Sequence, residues 1–260
     1  KEKIIHLDDV MYQKDFVDFG ITTHMEKTRA VIKVQDGCDR FCSYCIIPYA
    51  RGRVRSRDKE SVLNEIKSIV EEKQIKEVVI TGIHVASYGK DFKDEYRLID
   101  LLEEINNIDG IERIRLGSLE PTIINKDFLD RLSKLKKICH HFHLSLQSGN
   151  NETLKRMNRR YTTEEFENVT NLLKKTYEDV ILTTDIIVGF PAETEEEFDN
   201  TYEFLKKVSF YKMHIFKYSR RKGTKADLMT GQVAPDKQEQ RSKKLIELSN
   251  KNQEKQNKEY

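Results

Sequence analysis

Three of the four cysteines in this 260-residue chain fall within the run Gly37-Cys38-Asp39-Arg40-Phe41-Cys42-Ser43-Tyr44-Cys45. Side chains three and four positions apart on a tight loop can turn toward one point, and thiolates select soft metal centres. Three such ligands leave two readings open. Structural zinc is four-coordinate and closed, so zinc needs one more Cys or His, with Cys139, His140, His141 and His143 as candidates. An iron–sulfur cluster on three thiolates instead leaves one iron open to a small molecule. A disulfide scaffold does not fit a long chain with few cysteines and no secretory signal.

Loops need elements to aim them. Six β-rich runs are expected at 31–34, 78–81, 113–116, 141–146, 180–188 and 213–218. Helical spacing of Leu, Ile and Phe lies between them, near 58–73, 96–107, 125–137, 162–177 and 194–208. Thr162 or Thr163 before Glu164-Glu165, and Thr194 before Glu195-Glu196-Glu197, place hydroxyls and carboxylates where orphan amides and the helix dipole favour them. Strand–helix alternation implies an α/β fold with parallel strands, either a barrel or an open doubly wound sheet. The cysteine loop follows the first strand, where barrels carry reactive groups.

The spacing Cys-x3-Cys-x2-Cys, with the aromatic Tyr44 before the last cysteine, resembles the cluster loop of radical S-adenosylmethionine (SAM) enzymes. The flank Ile46-Ile47-Pro48-Tyr49-Ala50-Arg51-Gly52-Arg53-Val54-Arg55-Ser56-Arg57 is similar to the methylthiotransferase branch of that superfamily. So are Leu116-Gly117-Ser118-Leu119-Glu120-Pro121, Leu144-Ser145-Leu146-Gln147-Ser148-Gly149, Met157-Asn158-Arg159-Arg160-Tyr161-Thr162 and Thr184-Asp185-Ile186-Ile187-Val188-Gly189-Phe190-Pro191. Within the branch, Thr81-Gly82-Ile83-His84 followed by Ser87-Tyr88-Gly89 most resembles enzymes that methylthiolate threonylcarbamoyladenosine beside the tRNA anticodon.

The resemblance implies a radical SAM core, a partial (β/α)6 TIM-type barrel of parallel strands, open along one side. It implies a 4Fe-4S cluster on Cys38, Cys42 and Cys45, SAM bound at its free iron, and reductive cleavage to methionine and a 5'-deoxyadenosyl radical. Thr81, Gly82 and Ile83 match the family's Gly-rich segment after the second strand. Tyr44 in the cluster loop, Glu120 toward ribose, Ser145, Gln147, Arg159 as a carboxylate partner, Asp185 and Phe216 complete the expected cofactor contacts. The family further implies a tRNA anticodon-loop substrate, an electron donor such as flavodoxin or ferredoxin, and a second 4Fe-4S cluster in an N-terminal domain. On that pattern, residues 1–27 are an arm from such a domain, 28–235 the core, and 236–260 a helix leading toward an RNA-binding domain. This segment is then expected to bind one cluster and cleave SAM without completing methylthiolation. Sister enzymes acting on isopentenyladenosine or a ribosomal protein, and a non-catalytic zinc-binding RNA module, are the competing readings.

Composition bounds rather than selects. Charged residues make up 35% of the chain and the net charge is +2, so global charge names no partner. Local charge says more: Arg51, Arg53, Arg55 and Arg57 alternate after the cysteine loop, and Lys217, Arg220, Arg221, Lys222 and Lys225 cluster late. Such runs meet phosphates or simply face solvent. His141 and His143 share one strand face and His140 the other, as core or surface groups. Cys139 reads as a small buried hydrophobe. With no apolar run of membrane-spanning length and no leader, no membrane partner and a cytoplasmic location are expected.

Overall fold

A computed structural model describes residues 9–17 and 28–259, so most of the arm expected over 1–27 lies outside the described residues. Seven strands form among the described residues: β1 Arg29–Asp36, β2 Arg55–Ser56, β3 Glu77–Gly82, β4 Arg113–Leu116, β5 His141–Gln147, β6 Ile181–Val188 and β7 Lys212–Lys217. Six are those expected from the apolar runs. The two-residue β2, antiparallel to β1, is too short for any periodicity to announce.

Two hydrogen-bonded sheets run β2-β1-β3-β4 and β5-β6-β7. Parallel bridges Ile114↔Ile138 and Leu119↔Leu144 join them between β4 and β5. Apart from β2, every pairing is parallel. The longer strands therefore follow one another in sequence order around a single curl. A doubly wound sheet reverses its order at a switch point; this one does not, which settles the choice left open by periodicity. Among the described residues β7 pairs with neither β1 nor β2, so the half-barrel stays open there.

Helices α1 Ile47–Arg51, α2 Lys59–Lys73, α3 Leu98–Asn106, α4 Lys126–Leu132, α5 Asn151–Arg156, α6 Thr163–Thr176, α7 Glu195–Val208 and α8 Pro235–Asn257 complete the fold. Their apolar stripes meet the outward-facing residues of the strands in one core, including Ile32, Ile80, Leu102, Phe142, Phe166 and Leu205. Thr162 and Thr194 both close full capping boxes, with Glu165 and Glu197 as the reciprocal partners. The helix expected over 125–137 ends at Leu132, because Ile138 must leave it to bridge Ile114. α1 and α5, at five and six residues, are too short to show a helical period.

α8 frames the barrel instead of standing free. Leu245 and Leu248 are buried, Met213 N donates to Ser249 Oγ at 2.9 Å, and Arg241 Nη1 pairs with buried Glu193 Oε2 at 2.6 Å. No helix among the described residues is long and apolar enough to cross a membrane.

Candidate active site

The cysteine loop leaves β1 through Gly37, whose φ of +70° and close approach to the returning chain admit no side chain: a Cβ there would lie 1.8 Å from Arg53 O. Gln35 props the loop from inside the sheet. Its Nε2 donates to Gly37 O at 2.7 Å, while its Oε1 accepts from His84 N at 2.7 Å. Cys38 N donates to Gly52 O, and Cys45 N closes a tight turn onto Cys42 O at 2.9 Å. Ser43 fastens the far side, its N bonded to Met157 O, its Oγ to Arg156 O and its carbonyl to Ala226 N. Phe41 holds a positive φ of 49°, with its carbonyl taken by Asn158 Nδ2 at 2.9 Å. The loop is thus built from both halves of the barrel.

All three cysteines are free and line one cavity of about 150 Å³ with Arg40, His84, Glu120, Ser145, Gln147 and Arg159. Burial pushes the Cys38 thiol up to about 11 and raises that of Cys45. Arg40 N donates to Cys38 Sγ at 3.4 Å and Arg159 Nη1 to Cys42 Sγ at 3.3 Å. Burial makes Cys38 and Cys45 hold their protons, so it is the N–H donors aimed at sulfur and the charge of an incoming cation that would favour the thiolates.

Glu120, only 3% exposed, is the electrostatic hub of this cavity. Arg40 is ion-paired to it, His84 Nε2 lies 3.2 Å away, Thr122 Oγ1 donates at 3.1 Å, and Arg159 Nη2 stands at 3.6 Å. Burial raises its carboxyl, but the His84 hydrogen bond and the charges of Arg159, His84 and Arg40 outweigh it and pull it down to about 2. Arg159 is itself buried, donating to Tyr161 Oη at 2.9 Å and to Ser145 O at 3.1 Å. Tyr161 Oη in turn donates to Leu146 O at 2.8 Å.

The donor set discriminates between the two metals. Tetrahedral zinc, with Zn–S near 2.3 Å, holds sulfurs roughly 3.8 Å apart. Among the described residues the trio compact enough for a single ion, all ligand atoms within 4.8 Å, is His143, Asp185 and His214; the cysteines form no such group. Cys139 sits half-buried near Arg115 and Glu77, away from the loop. His140 faces Asp179, and His141 and His143 face Thr183. His84 reaches the cavity, yet both its ring nitrogens are engaged, by Ser87 Oγ at 2.7 Å and by Glu120. Among the described residues no further Cys or His is free beside the three cysteines to be the fourth ligand that zinc requires, whereas three spread soft donors fit a polynuclear iron–sulfur cluster.

A second cavity, about 500 Å³, adjoins the first and shares Tyr44, Cys45, Ile47 and Gln147 with it. Ile187, Phe216 and Tyr218 add apolar wall; Asp185, Lys217 and Arg221 add charge. Of the sequence-derived candidates, Tyr44, Ile83, Glu120, Ser145, Gln147 and Arg159 meet at the cysteine cavity, and Asp185 and Phe216 line its larger neighbour. Thr81 and Gly82 line neither cavity. Gly82 packs where a Cβ would lie 2.9 Å from Gln35 O, so this segment backs the loop through its main chain.

Two residues of the cavity are not among the expected cofactor contacts: Arg40, which sits inside the cysteine run, and His84, which appears in the sequence only as the end of the motif Thr81-Gly82-Ile83-His84 and whose partners Ser87 and Glu120 lie three and 36 positions away. The arginine run needs correction. Arg55 and Arg57 are 4% and 6% exposed; Arg55 lies by Asp36, and Arg57 is paired with Glu65 and bonded to Ser61. Neither can hold a phosphate. Exposed Arg51 and Arg53 pair with Asp36 and Asp39 at the rim.

The profile of the Radical SAM superfamily matches residues 32–205. The threonylcarbamoyladenosine tRNA methylthiotransferase MtaB of Bacillus subtilis is 42% identical over 250 residues, 96% of this chain and 55% of the relative. The tRNA-2-methylthio-N(6)-dimethylallyladenosine synthase of Clostridium tetani is 43% identical over 233 residues, 90% and 51% respectively. The chain thus spans about half the length of the curated relatives it matches. Among solved structures, coproporphyrinogen III oxidase from Escherichia coli superposes with a TM-score of 0.60 at 17% identity, covering 86% of this chain and 52% of its own. The methyltransferase TsrM from Kitasatospora setae gives 0.63 at 20%, covering 76% and 38%. At such identities these structures speak for the fold alone. With well over half its residues matched by the family profile and three cysteines gathered beyond the first strand of a half-barrel, the chain belongs to the radical SAM superfamily.

Proposed function

We infer that this chain is the catalytic core of a tRNA methylthiotransferase that acts on N6-threonylcarbamoyladenosine, giving the 2-methylthio nucleoside. One observation carries the reading: the cysteine cavity opens into a larger, aromatic-walled cavity across shared residues Tyr44, Cys45, Ile47 and Gln147. A cofactor in the first would face a base in the second. Identity to the two kinds of relative is nearly equal, but the MtaB match covers 96% of this chain against 90%, which supports the choice of nucleoside together with the motif Thr81-Gly82-Ile83-His84.

Cys38, Cys42 and Cys45 would hold a 4Fe-4S cluster, and Tyr44, Ile83, Ser145, Gln147, Arg159 and Glu120 would contact SAM. Asp185 and Phe216, expected from the sequence as cofactor contacts, line the larger cavity and would face the base. Together these cofactors supply a carbon-centred radical for an aromatic C–H that has neither an acidic proton nor a leaving group. The chain's own groups do the rest. Arg159, between Cys42 and Glu120, offsets the negative charge that deprotonated thiolates bring. Glu120 keeps Arg159 and Arg40 from recoiling into solvent. The T-shaped stack of Tyr44 on Phe190, with centroids 6.4 Å apart, closes the loop side against water.

Anticodon-loop bases can splay out of their stack and enter a laterally open barrel. Arg51, Arg53, Arg221, Lys222 and Lys225 form an exposed basic rim for phosphates. The exposed pairs of Arg51 and Arg53 are worth little and exchange readily. The second cluster as sulfur source, a donor such as flavodoxin or ferredoxin, the division at 27 and 235, and a cytoplasmic setting belong to the same reading. Its test is isotopic. Reconstituted protein is given a stem-loop RNA bearing threonylcarbamoyladenosine deuterated at adenine C2. Deuterium should appear in 5'-deoxyadenosine; deuterium-free product from that RNA would reject the substrate.

A further inference from the structure

Along β6 and β7 alternate residues share a face, so Asp185 lies with Ile187 and His214 with Phe216. Ile187 and Phe216 line the larger cavity, and Asp185 and His214 are register partners one pleat deeper. From β5, His143 reaches the same point, its Nε2 3.1 Å from Asp185 Oδ2. Thr183 Oγ1 fixes that ring from behind, 2.9 Å from His143 Nδ1, and is itself 3.2 Å from His141 Nε2. The His143 and His214 rings stand 5.7 Å apart. Among the described residues, Asp185 Oδ1 and both ring nitrogens of His214 carry no hydrogen bond. The aromatic-walled cavity therefore carries one carboxylate acceptor, Asp185, in its wall, with the imidazoles of His143 and His214 beside it and bonding capacity to spare.

We propose that His143, Asp185 and His214 form the recognition floor for a polar, carboxylate-bearing N6 substituent, and so select threonylcarbamoyladenosine over its prenylated counterpart. The inference rests on the proposed function and adds the residues that discriminate. The purine fits between Tyr44, Ile187 and Phe216. Its substituent then points at the trio, where a ureido N–H or threonyl hydroxyl can donate to Asp185 and the carboxylate can accept from imidazole. A five-carbon isoprenoid chain at that depth offers no such groups. It would strip water from Asp185 and the imidazoles without replacing it, and sites built for hydrogen bonds reject analogues that lack them.

The test compares anticodon stem-loops that differ at one nucleoside: threonylcarbamoyladenosine, isopentenyladenosine or adenosine. Their affinities for the anaerobically reconstituted protein are read by fluorescence anisotropy. The unaltered protein should prefer the threonylcarbamoyl RNA by about tenfold or more. His214→Leu, at an exposed position, should bring that ratio close to one, as should Asp185→Asn. SAM cleavage without RNA should be unchanged in His214→Leu. Equal affinities in the unaltered protein, or variants that weaken all three RNAs alike, would overturn the proposal. Failure of the parent reading shows itself separately, as no cluster and no 5'-deoxyadenosine from the unaltered protein, and the proposal would fall with it.

Discussion

The two adjoining cavities are held together in opposite ways. Around the cysteines nearly every polar group is committed: Glu120 gathers Arg40, His84, Thr122 and Arg159, and Arg159 also takes Cys42, Tyr161 and Ser145. In the larger cavity Phe216 is 54% exposed, and Asp185 in its wall and His214 beside it keep unused bonding capacity. A buried, fully compensated network resists change because removing one member strands the others. An open, partly satisfied wall tolerates change, because water stands in for what is lost. On the proposed function, cofactor chemistry common to the superfamily would sit in the first kind of setting, and substrate recognition in the second.

That contrast can be broken by mutation, beginning with the largest effect. Cys42→Ala should reduce 5'-deoxyadenosine formation to background, read by chromatography after reduction; retained cleavage would remove the cavity's purpose. Glu120→Gln strands buried cations and should cost about 3–5 kcal/mol in urea unfolding, whereas a loss under about 1 kcal/mol would place Glu120 in an ordinary surface network. Acid offers a check without mutation. Because the folded Glu120 carboxyl is pulled down to about 2 from 4.5, its stabilisation is complete above about pH 4.5 and is lost as pH falls toward 2. That component should be missing from the acid titration of Glu120→Gln.

The other cavity should respond in binding and not in stability. Phe216→Ala should leave urea unfolding unchanged and weaken stem-loop RNA by about 1–3 kcal/mol, the worth of one base–aromatic stack. Arg53→Ala, at the rim, should change RNA affinity least and mostly through its salt dependence.

Local patterns explain what the sequence made legible. The cysteine spacing, the six longer strands and the caps at Thr162 and Thr194 each lie within a few consecutive residues, where period and residue type are enough. Partners contributed by distant strands are invisible to such patterns. Arg55 and Arg57 look like a basic surface run until β2 folds back on β1 and brings them to Asp36 and Glu65. His143, Asp185 and His214 come from three strands, and only their register unites them. Thr81-Gly82 was legible as a motif, but its place behind Gln35 was not.

On the proposed function, the three-cysteine cavity holds one cluster that serves SAM cleavage. Anaerobic reconstitution with iron and sulfide tests it most directly, with iron content, absorbance and 5'-deoxyadenosine measured for the unaltered chain and for Cys42→Ala. The unaltered chain should be brown, with about four irons per chain, and SAM should be cleaved only when all three cysteines are present. A colourless chain with stoichiometric zinc and no cleavage would contradict it.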